Sequence, residues 1–202
     1  MNYAIEHQNT SYPYLVITPR KKVLKHSLIT VQSGLLLIKL GKTEYAIEQG
    51  ETIWVPFDCL TSITFFPNTH IQRVDFSIRL TDKFPTQSGL VRLSELSRAV
   101  LNKLTQKKLS PQHEKDLLAV LKEEVLSLQP TLIETQLSRE FNQWEPGKSS
   151  DLEQINILVM TMRESKKRLQ SGQKKALIIE QLFSGKEEEF EQLCLLVFGS
   201  EL

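Results

Sequence analysis

The sequence has little of what marks metal centres, disulfide frameworks and membrane proteins. Its 202 residues include two cysteines and four histidines, and Cys59 and Cys194 match no metal-binding or redox spacing. The longest apolar run, Gly34 to Ile38, is far shorter than the roughly 20 residues of a membrane helix. The N-terminus lacks the basic and apolar segments of a signal peptide. We therefore expect reduced thiols, no membrane partner and a cytoplasmic location.

Motifs of common enzyme classes are also missing. The sequence contains no Gly-x-Ser-x-Gly nucleophile motif and no glycine-rich phosphate loop. Paired carboxylates such as Glu123 and Glu124 lie on helical stretches, where adjacent positions do not face each other. The sequence therefore predicts no catalytic residue and no cofactor, and the chain is not expected to be an enzyme.

What the chain does have is the composition of a globular protein with a sizeable core. Hydrophobic residues make up 40% of it and charged residues 24%, which argues against disorder. The formal net charge of +1 neither favours nor excludes nucleic acid, because such partners respond to local patches.

From Tyr12 to Leu80 the sequence has the pattern of an antiparallel β structure. Short runs of β-branched and aromatic residues alternate with turn signals such as Ser33-Gly34 and Gln49-Gly50. Strands of about five residues at this spacing are typical of a barrel or a sandwich. The predicted strands are Tyr14–Thr18, Leu28–Gln32, Leu35–Leu40, Glu44–Ile47, Thr52–Val55, Ser62–Phe66 and Ile71–Ile78.

From Leu90 onward the apolar residues follow a helical period. One stripe of leucines and valines ends at Leu104, and Ser110-Pro111 provides an N-cap and a proline at the first helical position of a second helix. Pro130 ends that helix, so the two helices should form an antiparallel hairpin joined by a lysine-rich loop. Further helical patterns begin near Asp151, Lys174 and Glu187.

Two nine-residue segments look alike. Residues 151–159 read DLEQINILV and residues 189–197 read EFEQLCLLV, with acidic, apolar and amide positions in the same order. Two amphipathic helices of ordinary composition would resemble each other in this way. The alternative is a duplicated helical unit, for which a pair of helix-turn-helix units is the obvious candidate.

The stretch from His26 to Phe65 resembles the cupin sensor domain of AraC-type transcription regulators. The helix pair from Leu90 to Pro130 fits as well, since these sensors end in a helical hairpin that commonly forms the dimer interface. The residues that match the cupin pattern are His26, Ser33, Gly34, Gly50, Trp54, Val55 and Pro56.

The resemblance implies an α+β fold in three parts. Residues 1–84 would form a cupin-like antiparallel β-barrel, that is, a double-stranded β-helix, and residues 85–133 a dimerising helical hairpin. Residues 134–202 resemble a truncated helix-turn-helix domain. The implied partners are a second copy or a related regulator, and the implied dimer contacts are Leu93, Leu96, Val100, Leu117 and Leu121.

Within the last part, residues 151–170 resemble a first helix-turn-helix unit, with a turn near Met160–Met162 and a recognition helix over Arg163–Gln170. Residues 174–200 resemble a linking helix and the first helix of a second unit. The chain departs from the family where methionines stand in place of the glycine and serine usual in the turn. It also ends at Leu202, where the second recognition helix should begin, so DNA binding is expected to be partial or degenerate.

The charge of this region agrees with degenerate DNA binding. Residues 134–202 contain nine Lys and Arg against twelve Asp and Glu, whereas DNA-binding domains need positive faces. One basic patch remains, which we interpret either as a solvated helix face or as a residual nucleic-acid contact. Its members are Arg163, Lys166, Lys167, Arg168, Lys174 and Lys175.

The cupin resemblance does not extend to a metal site. His26 is the only histidine of the first motif, and Thr61 stands where the second motif usually offers another, so no metal is expected. His26 is then a structural or a ligand-contacting residue. The barrel interior is either a filled core or a cavity for a small apolar ligand. The candidate lining residues are Tyr14, His26, Leu37, Trp54 and Phe65.

Three functions follow from these observations. The first is a transcription regulator that binds DNA weakly under control of its sensor. The second is an interaction protein that dimerises and modulates other regulators without binding DNA. The third, and least favoured, is a cupin enzyme.

Overall fold

The computed structural model of the protein describes residues 4–106 and 109–202; residues 107 and 108 of the predicted lysine-rich loop lie outside the described residues. The strands are β1 (Ile5–Tyr12), β2 (Val16–Ile17), β3 (Lys21–Lys22), β4 (His26–Ser33), β5 (Leu36–Leu40), β6 (Thr43–Ile47), β7 (Thr52–Val55), β8 (Leu60–Phe65), β9 (Thr69–Phe76) and β10 (Gly89–Leu90). The helices are α1 (Glu95–Leu104), α2 (Pro111–Leu126), α3 (Gln136–Gln143), α4 (Gln154–Gln170), α5 (Lys175–Phe183) and α6 (Glu187–Phe198).

The strands form two antiparallel sheets. The first has the order β1-β9-β4-β7-β10, and the second has the order β2-β8-β5-β6, with β3 paired to β8. The predicted α+β class is confirmed, but within the described residues the sheets do not close into the expected barrel. One reason lies at the edge of β6, where helix α3 takes up backbone groups that a neighbouring strand would need: Ser138 accepts a hydrogen bond from the Ala46 amide.

The space between the sheets holds an apolar core. Successive side chains of a strand point to opposite faces, so Ile29 of β4 and Ile53 of β7 face Leu36 and Ile38 of β5 across the core. Both sheets are also buried on their outer faces, so consecutive residues are buried along β4 from Ser27 to Val31 and along β5 from Leu36 to Ile38.

The predicted helical hairpin, α1 and α2, covers the outer face of the first sheet. Ser94 and Ser110 cap the two helices through their side chains, as the sequence signal at Ser110-Pro111 predicts. Leu121 of α2 is fully buried against Trp54 and Phe76 of the sheet. The hairpin is therefore an integral layer of the fold.

Helices α3 to α6 cover the outer face of the second sheet. Leu37 and Phe66 share one apolar cluster with Phe141 of α3, Met160 of α4 and Phe190 of α6. The C-terminal helices thus have no separate core, because their buried side chains pack directly on the sheet. The molecule has four layers: a helical hairpin, two sheets and the C-terminal helices.

Two sequence predictions about the C-terminal region need correction. The turn expected at Met160–Met162 is wrong, because α4 runs unbroken through it. The segment contains no glycine or proline, and both methionines are buried in the core, so nothing ends the helix there. The helix expected from Asp151 also starts later, at Gln154, although the two look-alike segments both lie mainly in helices, α4 and α6.

Candidate interaction surface of the C-terminal helices

Helices α5 and α6 have the spacing of a helix-turn-helix. Three residues, Ser184–Lys186, join them, and Ser184 and Gly185 have positive φ angles of 53° and 78°. A connection of three or four residues, often with glycine, is typical of this motif. In such a motif the second helix, here α6, would be the recognition helix, whereas the sequence interpretation put that helix at residues 163–170. The signal that was available for it was the Ser184-Gly185 pair.

The start of α6 has the wrong charge for DNA. Its first turn consists of Glu187, Glu188 and Glu189, and all three are exposed. Carboxylates at a helix N-terminus are favourable for the helix, because they face the positive end of its dipole. They are unfavourable beside a phosphate backbone, where binding depends on neutralisation by Lys and Arg.

Arg163, one of the six predicted DNA contacts, is a structural residue. Its guanidinium forms a two-pronged ion pair with the Glu44 carboxylate of β6, and the Nη1–Oε2 distance is 2.9 Å. The two side chains are 20% and 12% exposed. Arg163 thus fastens α4 to the second sheet and does not face solvent as a phosphate contact would.

Four more cations of the basic patch also have partners inside the molecule. Arg168 contacts Glu164 and Gln181, and Lys167 pairs with the same Glu164. Lys166 lies 4.6 Å from the centre of the Phe198 ring. Lys175 pairs with Glu191 at 3.4 Å and lies over the Phe190 ring. Lys174, at the N-cap of α5, is exposed and has no ion pair among the described residues.

Glu164 is the acid around which part of this patch is organised. Burial alone would raise the pKa of its carboxyl, but hydrogen bonds from Arg168 and Lys167 oppose that effect and leave the pKa lowered. The carboxylate therefore stays charged and shares its one negative charge between Arg168 and Lys167.

The five predicted ligand-lining residues do not line one cavity. Phe65 faces the core between the sheets, where its ring stacks on Tyr12. His26 and Trp54 face the helical hairpin, and Leu37 packs under the C-terminal helices. Tyr14 lies at the surface beside Gly199. Ligand contact by these side chains stays a prediction.

His26 sits in an aromatic cluster. Its ring centre is 4.7 Å from that of Phe84 and 5.6 Å from that of Trp54, and its Nδ1 accepts a hydrogen bond from the Phe57 amide at 3.1 Å. Burial lowers the pKa of the imidazole. The neutral ring with an unprotonated Nδ1 is therefore the form that this site favours.

A large groove lies outside the core between the sheets. It has a volume of about 1050 Å³ and runs between the end of the first sheet and the helical hairpin, with Arg92 and Arg98 among its lining residues. Within the described residues, no group of three His, Cys, Asp or Glu side chains is placed to share a metal ion. No helix of this part of the chain is both long and apolar enough to cross a bilayer.

The predicted dimer contacts are divided between core and surface. Val100 and Leu121 are buried in the core of the hairpin and the first sheet, and Leu93 and Leu117 are partly buried against it. Leu96 is exposed. Dimerisation through this set stays a prediction, with Leu96 as its one exposed member.

Known proteins offer weak likenesses. No protein-family model matches the sequence, and no curated protein matches it. Among solved structures, an apo ToxT variant from Vibrio cholerae is 10% identical over 99% of this chain and 96% of that chain, with a TM-score of 0.46. ToxT bound to (E)-4-(8-methylnaphthalen-1-yl)but-3-enoic acid is 11% identical over 98% and 97% of the two chains, with a TM-score of 0.39. A cupin superfamily protein from Desulfitobacterium hafniense is 9% identical over 38% and 71%, with a TM-score of 0.35. These TM-scores are low, so the function of this chain has to be argued from its own residues.

Proposed function

We propose that the chain is an AraC-type regulatory protein that acts through protein contacts rather than through DNA. One observation carries the proposal: α6, the second helix of the α5–α6 pair, begins with three exposed glutamates, while five of the six cations of the basic patch have partners inside the molecule. A duplex carries one negative charge per about 1.7 Å of its axis. Bringing this helix terminus into a groove would therefore place like charges side by side.

The contacts of Arg163 add a second argument against a phosphate-binding role. To reach a phosphate, the guanidinium would have to leave Glu44. The Glu44 carboxylate, which is now almost buried, would then have no counter-charge. Breaking a mostly buried ion pair is unfavourable, because one partner stays behind without its counter-charge. This penalty would be subtracted from any gain at the phosphate.

Dimerisation and ligand sensing belong to the proposal as well. The partner would be a second copy or a related regulator, and a small ligand would control the contact. The groove between the first sheet and the hairpin is the candidate site, because its volume of about 1050 Å³ is in the range of small-molecule pockets.

A weaker second candidate is residual DNA binding through α4 and the start of α5. It is favoured by Lys174, which is exposed, and by Lys167, whose side chain is 78% exposed despite its ion pair. Surface ion pairs of this kind are weak enough to be exchanged for a phosphate contact.

Fluorescence anisotropy with a labelled random duplex separates the two candidates. The wild-type chain is compared with Lys166→Glu/Lys167→Glu/Arg168→Glu at several salt concentrations. We expect no salt-dependent binding by either protein at micromolar concentration. Binding by the wild type that weakens steeply with salt and is lost in the triple variant would overturn the proposal and favour the second candidate.

A further inference from the structure

Helix α6 presents two large apolar side chains to solvent. Leu195 is 53% exposed and Leu196 is 63% exposed, while Phe190 and Val197 of the same helix are buried in the core. The solvent face of an ordinary surface helix is polar. Two adjacent exposed leucines in the last turns of a well-packed helix therefore need an explanation.

The apolar surface continues beyond the helix. The Leu15 amide donates a hydrogen bond to the Val197 carbonyl at 2.7 Å, which places the end of α6 beside the strand region that starts β2. The Tyr14 ring lies against Gly199, and residues three and four apart are neighbours on a helix. Tyr14, itself 44% exposed, therefore lies about one turn from Leu195 and Leu196 and extends their surface.

The other half of the same helix face is acidic. Helical spacing places Glu188, Glu191 and Leu195 in one line along the exposed side. Glu188 has no ion pair among the described residues, and the pair of Glu191 with Lys175 is long, at 3.4 Å. We call the surface formed by Tyr14, Glu188, Glu191, Leu195 and Leu196 the α6 strip.

We infer that the α6 strip binds a cationic amphipathic helix of a partner protein. This inference rests on the proposed function, in which the chain acts by protein contact. An apolar stripe on the partner would cover the two leucines and the Tyr14 ring, and its Lys or Arg residues would meet Glu188 and Glu191. Such a complementary charge pattern steers association and selects the partner.

A second copy of α6 does not fit the same surface. In a parallel pair the glutamates of one helix would face those of the other, and like charges opposite each other are destabilising. In an antiparallel pair each acidic half would lie on an apolar half and lose its water without gaining a counter-charge. Charge complementarity therefore favours a basic partner over self-association through α6.

The test uses the full chain and a defined probe. The probe is a labelled helical peptide of leucine and lysine, about 18 residues or five turns long, with leucines on one face. A peptide with glutamate in place of lysine and a scrambled leucine-lysine peptide are the probe controls. Affinity is measured by anisotropy at two salt concentrations.

Two variants change the strip. Leu195→Ser/Leu196→Ser removes its apolar half, and Glu188→Gln/Glu191→Gln removes its charge. The matched control is Val120→Ser/Glu123→Gln, which changes an exposed apolar residue and an exposed acid on α2. Circular dichroism and thermal unfolding establish that each variant is folded.

We expect the wild type and the control variant to bind the cationic helix with the same affinity, weaker at high salt. The serine variant should bind about tenfold more weakly or worse, as truncation of central apolar contacts does. The glutamine variant should lose affinity severalfold together with most of its salt dependence. The anionic and scrambled peptides should bind at least tenfold more weakly than the cationic helix.

Three results would overturn the inference: no binding at roughly 100 µM protein, equal binding by the serine variant, or equal loss in the α2 control. A fourth is a wild-type dimer, seen by light scattering, that the serine variant dissociates, since the occupant would then be a second copy. None of these results involves DNA. Salt-dependent binding to a duplex would instead contradict the proposed function itself, so the two failures are distinguishable.

Discussion

Arg163 and Glu44, 119 positions apart in the chain, form the ion pair that joins helix α4 to strand β6. The pair is two-pronged and lies largely out of solvent. Two parallel hydrogen bonds fix the orientation of the guanidinium in addition to the attraction between the charges. Arg163, which the sequence places in a DNA-binding patch, therefore joins the helical layer to the second sheet.

Arg163→Ala should destabilise the fold. Removing the guanidinium leaves the Glu44 carboxylate nearly buried without its partner, and we expect the free energy of unfolding to fall by on the order of 2 kcal/mol. Urea denaturation measures this change. Lys167→Ala, which removes a 78% exposed lysine and leaves Glu164 paired with Arg168, is the control and should change stability by less than about 1 kcal/mol. Equal effects of the two substitutions would mean that the buried pair has no special role.

Ser138→Ala should loosen the edge of the second sheet. The Ser138 hydroxyl accepts the hydrogen bond of the Ala46 amide at 3.0 Å in a buried position, and the variant leaves that amide unsatisfied at a cost of about 1–3 kcal/mol. Hydrogen exchange at Ala46 should accelerate. The exposed Gln136→Ala on the same helix is the control and should leave this exchange rate unchanged. Unaltered protection of Ala46 in the serine variant would show that α3 does not hold the edge in this way.

Gly199→Ala should be more damaging than Gly172→Ala. Both glycines follow a helix and have positive φ, at 71° and 89°, so both substitutions strain the backbone. Only at Gly199 would the added Cβ overlap a neighbour, the Tyr14 ring, whereas the space around Gly172 is open. We expect a further loss of about 1 kcal/mol at Gly199, measured by thermal unfolding. Equal losses would mean that the end of α6 does not pack on Tyr14.

Acidification should weaken the fold through His26. Burial lowers the pKa of His26 in the folded state, so the folded protein resists a proton that the unfolded chain accepts. The stability is therefore complete above the unfolded pKa of about 6.5 and falls as the pH drops below it. In urea titrations between about pH 7 and 5.5, His26→Asn should show a smaller loss of stability than the wild type. The exposed His113→Asn is the control. If His26→Asn lost as much stability per pH unit as the wild type, His26 would not be the group responsible.

Local patterns in the sequence predicted most of the secondary structure. The Ser110-Pro111 signal placed the start of α2, and the predicted strand Thr52–Val55 is β7 residue for residue. Local sequence patterns failed to predict elements that depend on contacts with distant parts of the chain. Strand β1 is polar and is held by its pairing with β9, and α3, with few apolar residues, is held against the edge of β6.

The candidate site was predicted less well, because a charge pattern gives no information about what each charge contacts. The six cations look like one stripe in the sequence, yet Arg163 turns to a strand, Lys166 to an aromatic ring and Arg168 to Glu164. The acidic start of α6 was plain in the sequence. Its close connection to α5 was not, because that depends on the positive φ angles of Ser184 and Gly185.

The sequence by itself therefore determined the α+β class, the helical hairpin and the acidic character of α6, since periodicity, capping residues and charge are local properties. Only the tertiary structure decided that the strands form two sheets instead of a closed barrel, because α3 occupies the edge of β6. It also decided that α4 is unbroken and that five of the six cations of the basic patch have partners within the molecule. These features arise from contacts between residues as distant as Glu44 and Arg163, and such contacts exist only once the layers have packed together.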